Sequence, residues 1–214
     1  MKKVLKIQFS DIVLNENIHY YHNPFGGVSN DELLYTIQPK YDIETWVTTL
    51  KEDTPKIIQF VGKKGRGKTT HLSVLHQYFP DMDIYYLDRI HKKIKSTKTN
   101  IVFIDSIHKI PIHKRISLWK KKNISYIIST HINKALEFKI AGRSYETYYF
   151  KGIQLEELKQ IIIHRVAIAS NITPQEVSIQ EKYINELILA FKDDFRGILN
   201  FLYDAFNQRN YGNI

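Results

Sequence analysis

The stretch "IIQFVGKKGRGKTTHLSVLHQYF", residues 57–79, constrains this chain more than any other. Its start, Ile57 to Val61, has the apolar composition of a buried strand. The strand runs into Gly62, four intervening residues, then Gly67, Lys68 and Thr69, and a helical pattern begins at once. A strand, a glycine-rich loop and a helix in that order turn successive backbone N–H groups into one concavity, with the positive end of the helix dipole behind them. Gly62, Lys63, Lys64, Gly65, Arg66, Gly67, Lys68, Thr69 and Thr70 therefore form a candidate phosphate cradle. In such a cradle Lys68 reaches the terminal phosphates of a nucleotide and the Thr69 hydroxyl ligates magnesium, so ATP and Mg2+ are the expected ligands.

Four further strand-like stretches follow: "DIYYLDR" (83–89), "NIVFID" (100–105), "SYIISTH" (125–131) and "ETYYFKGI" (146–153). Helical or loop segments separate them, as parallel crossovers require. The expected fold is α/β: the parallel five-stranded sheet of a P-loop NTPase, flanked by helices, with a small C-terminal helical lid. The expected division is an N-terminal segment over 1–50, the P-loop core over 51–153 and the lid over 154–214, within the reach of a 214-residue chain. Asp105 ends the third strand, where a carboxylate can hold magnesium opposite Thr69. In the lid, Leu155, Leu158, Ile161 and Ile162 recur at helical spacing, as do Ile198, Leu199, Leu202, Ala205 and Phe206. Thr173, Pro174 and Glu176 read as the capped start of another helix.

The formal net charge is +9, which favours polyanionic partners. Its distribution is more specific, because Ser106 to Leu136 contains no Asp or Glu while Lys109, Lys114, Arg115, Lys120, Lys121, Lys122 and Lys134 all fall there. A second basic cluster is "DRIHKKIKSTK", residues 88–98. Lys114, Arg115, Lys120, Lys121 and Lys122 are candidate contacts to a DNA backbone, with a solvated lysine-rich face as the alternative. No helix-turn-helix, zinc-finger or RNA-recognition signature is present, so base specificity is not expected. Apolar runs stay short of the roughly 20 residues that cross a bilayer, and the N-terminal stretch lacks a signal-peptide core. The expectation is a cytoplasmic protein. Absence of cysteine excludes disulfides and thiolate metal sites.

With these motifs the chain resembles the AAA+ branch of P-loop ATPases, in particular its initiator and transposition-helper relatives, over about Asn23 to Asn210. The polar run Ser129, Thr130, His131 ends the fourth strand where that family places its sensor-1 residue, which nominates Thr130. "AGRSYETYYF" puts Arg143 where the family often carries an arginine finger for a neighbouring subunit. "DDFRGILNFL" is similar to the sensor-2 pattern and nominates Arg196. Trp46 lies in a stretch that borders the adenine pocket in such proteins, although a core tryptophan has the same appearance. The resemblance implies a homo-oligomer, assembly on DNA, and recruitment of a protein partner not identified by the sequence.

One departure from the pattern matters. Most AAA+ ATPases follow the magnesium aspartate with a glutamate that orients the attacking water, and here Ser106 stands in that place. Either Asp88 is the base, as the resemblance to the recombinase-like branch implies, or ATP is hydrolysed slowly and serves as a switch. The leading expectation is an ATP-dependent DNA-binding protein. A nucleotide-gated protein-interaction switch of conflict or defence type, without nucleic acid, is the alternative, and a small-molecule kinase the third reading.

Overall fold

The computed structural model describes residues 6–15, 18–27, 41–52, 54–88, 90, 94, 99–192 and 194–211, excluding the side chains of 210 and 211. Most of the 88–98 basic cluster lies outside the described residues. In chain order the elements are α1 (Phe9–Ile12), α2 (Ile43–Lys51), β1 (Ile57–Val61), α3 (Lys68–Gln77), β2 (Asp83–Tyr86) and β3 (Ile101–Asp105). There follow a 3-10 turn (Ile107–Lys109), α4 (Ile112–Trp119), β4 (Ser125–Thr130), α5 (Ala135–Ile140) and β5 (Tyr145–Tyr149). The chain ends in α6 (Leu155–Ser170), a 3-10 turn (Pro174–Glu176), α7 (Glu181–Phe191) and α8 (Phe195–Tyr211).

Residues 39–151 form one compact unit around a parallel sheet of order β2-β3-β4-β1-β5. Parallel strands covered on both faces read as continuous apolar runs, and β1 is buried along its whole length. Its one polar residue, Gln59, is fully buried. Its amide nitrogen donates to Asn133 Oδ1 at 2.8 Å and Thr147 Oγ1 at 2.7 Å, and its oxygen accepts from the Lys134 N–H at 2.9 Å. The desolvation cost of that amide is thereby offset.

One face of the sheet packs Trp46, Phe60, Leu72, Phe103 and Phe150, and another cluster packs Ile104, Trp119, Tyr126, Ile128 and Phe138. Trp46 is fully buried, its ring 4.6 Å from that of Phe60 and 5.1 Å from that of Tyr148. It is a core residue, which corrects its candidacy for stacking on a base. The edge strand β2 stops at Tyr86, opposite Asp105, where its partner β3 ends. β5 stops at Tyr149, opposite Val61, where β1 gives way to the glycine loop.

Residues 1–38 and 152–214 form the other unit. Phe9 and Ile12 of α1 share a core with Leu158 and Ile162 of α6, Ile184 and Leu187 of α7, and Leu202 and Phe206 of α8. Arg165 reinforces this grouping by donating to the carbonyls of Pro24 and Gly26 at 3.2 and 3.3 Å. The capping pair expected at Thr173 and Glu176 forms, with Thr173 N–H and Oγ1 each 2.7 Å from Glu176 Oε2, yet it closes only one 3-10 turn. The chain then extends so that Ile179 bridges Val13, and Gln180 N–H donates to Ile12 O at 3.0 Å. Those backbone bonds delay the helix to Glu181.

Candidate phosphate-binding site

Strand order places the C-terminal ends of β1, β3 and β4 side by side, and the loops leaving them make the crevice where open α/β sheets bind ligands. The glycine loop leaves β1 first. A Cβ on Gly62 would lie 2.4 Å from the Phe150 carbonyl oxygen, so no other residue fits there without parting the chain from β5. Gly65 and Gly67 adopt φ of 80° and 81°, the left-handed region that glycine enters without strain. These turns deliver the chain to the first residue of α3, which is Lys68.

Lys68 is buried, and its Nζ donates to the Lys63 carbonyl at 2.7 Å, spanning the loop it closes. Burial lowers its pKa; nearby Asp105 opposes that shift and the Arg66 cation adds to it. An ammonium held this way gains from an incoming phosphate. Lys63 and Lys64 are exposed on the loop, Arg66 is buried, and Thr70 is half-buried. One residue past Lys68, Thr69 Oγ1 donates to Asp105 Oδ2 at 2.8 Å, and this bond joins the loop to the end of β3. A hydroxyl and a carboxylate at this separation are hard oxygen donors suited to Mg2+, which keeps water and substrate phosphates as its other ligands. An ion held by these oxygens would neutralise charge on the terminal phosphates of a bound nucleotide.

Ser129 completes the cluster. Its hydroxyl donates to Asp105 Oδ1 and accepts from the Ser106 N–H at 2.8 Å. Side chains alternate along a strand, so Thr130 turns away from Asp105: it is fully buried and its hydroxyl donates to Ile132 O at 2.9 Å. The register thus turns Ser129, and not the nominated Thr130, toward Asp105. His131, next on the face of Ser129, stacks on His108 with ring centroids 4.3 Å apart. His108 was not a sequence candidate, whereas Ser129 and His131 stood in the polar run ending β4, from which Thr130 was nominated.

The remaining candidates separate. Asp88 is exposed beyond β2 and accepts from the Ile90 N–H at 2.7 Å, forming a local turn. Arg143 is buried, donating to Lys121 O and Ile124 O at 2.5 Å each and to Trp119 O at 3.3 Å, with its guanidinium over the Tyr126 ring. Its donors are committed to carbonyls of its own subunit, which corrects the arginine-finger reading. Arg196 is exposed on the first turn of α8, in the other compact unit.

Among the basic candidates, Arg115 is buried and forms a bidentate pair with Glu137 at 2.8 and 2.5 Å, besides donating to Ile110 O. Burial pushes Glu137 up, but hydrogen bonds from Arg115 and Trp119 outweigh it and its pKa falls. Lys122 Nζ donates to Ala141 O and Gly142 O at 2.5 and 2.6 Å, capping the C-terminal end of α5. Both are corrected from nucleic-acid contacts to structural ties. Lys114, Lys120 and Lys121 remain exposed.

No protein-family model matches the chain, and no curated protein matches it. Among solved structures, the RuvB Holliday junction branch migration motor of Thermotoga maritima is 14% identical with a TM-score of 0.46, over 77% of this chain and 60% of that one. A single-substitution variant of the same RuvB is 15% identical with a TM-score of 0.43, over 77% of this chain and 66% of that one. The chain thus spans 60 to 66% of the length of these neighbours. By its own strand order and glycine loop, the chain has the α/β fold of a P-loop NTPase.

Proposed function

We propose that this protein binds ATP with Mg2+ at the loop Gly62 to Thr70 and uses the nucleotide to assemble on DNA, where it recruits or regulates a partner protein. The observation that carries the nucleotide reading is the 2.8 Å bond between Thr69 and Asp105, which brings the two expected magnesium oxygens together beside Lys68. DNA is supported by the net charge of +9 and by exposed Lys114, Lys120 and Lys121 in a segment devoid of carboxylates. Such lysines contact phosphates and read no sequence. Hydrolysis is slow in this reading, because Ser106 supplies no carboxylate next to Asp105.

A nucleotide-gated protein-interaction switch is the second reading. It is supported by Ile132, just before α5, and Leu136 and Ile140 on it, exposed at 70%, 71% and 64% at helical spacing. Sedimentation velocity with ATP and Mg2+, with and without duplex DNA, separates the two while released phosphate is followed in the same samples. ATP-dependent assembly on DNA with little phosphate release supports the first reading. Assembly indifferent to DNA supports the second, and a monomer under all conditions contradicts both.

A further inference from the structure

Two imidazoles lie near enough to Lys68 to feel its charge, and one of them also feels that of Asp105. His131 follows β4 directly, on the face from which Ser129 reaches Asp105. His108 comes from the 3-10 turn that starts after Ser106, and that turn begins in the left-handed region, with Ser106 at φ 68°. The two rings stack at 29° with centroids 4.3 Å apart. His108 Nδ1 is buried and has no hydrogen-bond partner among the described residues.

The charges around the pair are Lys68, Lys109, Asp105 and Lys64 at His131, and His131, Lys109, Lys134 and Lys68 at His108. Partial desolvation comes first in favouring neutral rings, followed by the lysines at His131 and by His131 and then the lysines at His108: His131 is lowered and His108 falls to about 4. A neutral ring has one nitrogen free to accept a proton. His131 is exposed, so water reaches it.

We propose that His131 accepts the proton of the water that attacks the terminal phosphate, and that His108, stacked on it, is the positioning residue that fixes its ring. The proposal rests on the nucleotide reading above. An O–H bond of the water breaks, and its proton passes to the free ring nitrogen of His131. The water oxygen bonds to the γ-phosphorus while the bond from that phosphorus to the bridging oxygen breaks, and the electron pair leaves on ADP. The proton then passes from His131 to solvent.

The test compares ATP affinity and single-turnover phosphate release in the wild type, His131→Ala, His131→Gln, His108→Ala, His108→Phe and Asp88→Asn, with Mg2+ present. In both His131 variants release is expected to fall about 100-fold, the usual scale of a missing proton acceptor, while ATP affinity is unchanged. Free imidazole restores part of the rate to His131→Ala, because the position is open to solvent. His108→Ala loses rate, whereas His108→Phe keeps most of it by preserving a stacked ring. Wild-type release in His131→Ala, or loss of release in Asp88→Asn alone, overturns the proposal. A wild type that binds ATP and releases no phosphate overturns it while leaving the nucleotide reading intact. A wild type that binds no ATP overturns both.

Discussion

At Gly62 one hydrogen decides the local structure, because a methyl group there would meet the Phe150 carbonyl at 2.4 Å. Gly62→Ala is expected to destabilise the protein by about 1–3 kcal/mol, the scale of an overpacked site, read from urea denaturation. The histidine pair adds a pH signature. His108 titrates at about 4 when folded and near 6.5 when free, so the unfolded chain binds the extra proton and stability is lost as pH falls from 6.5 through 4. His108→Phe should flatten that acid limb in thermal melts. The strand, glycine loop and helix start around Lys68 were legible in the sequence, because the spacing encodes a local turn and helix start. The grouping of Ser129, His108 and His131 was not. Their meeting depends on which face of β4 points at Asp105 and on where the turn after Ser106 returns, and both are set by the assembled sheet.

The elements around β4 show how basic residues can serve architecture. Arg143 gathers the carbonyls of Trp119, Lys121 and Ile124, which end α4 and lead into β4, and Lys122 caps α5. Arg115 and Glu137 join α4 to α5 within a buried cluster that includes Trp119. Glu137→Ala leaves the Arg115 guanidinium buried without its carboxylate, at an expected cost of about 3–5 kcal/mol in chemical denaturation. Sequence spacing placed Arg115 and Lys122 in one basic stretch with Lys114, Lys120 and Lys121. It could not show which of them turn inward, since that follows from the packing of α4 and α5. The sheet itself was legible from its apolar runs, and the largest overruns came at Tyr86 and Tyr149, where the neighbouring strand stopped first.

For the whole molecule, two compact units and a net charge of +9 bear on partners. Neutralising Lys114, Lys120 and Lys121 together should weaken DNA binding equally across sequences and shallow its salt dependence by roughly 0.9 in log–log slope for each phosphate that the protein no longer neutralises. An unchanged slope would assign these lysines to solvent. The most direct test is calorimetric titration of ATP, with and without Mg2+, into the wild type and into folded Lys68→Ala. The expected result is that the wild type binds, that Mg2+ tightens the binding, and that Lys68→Ala does not bind. Equal ATP affinity in the folded Lys68→Ala protein would contradict the phosphate-loop assignment.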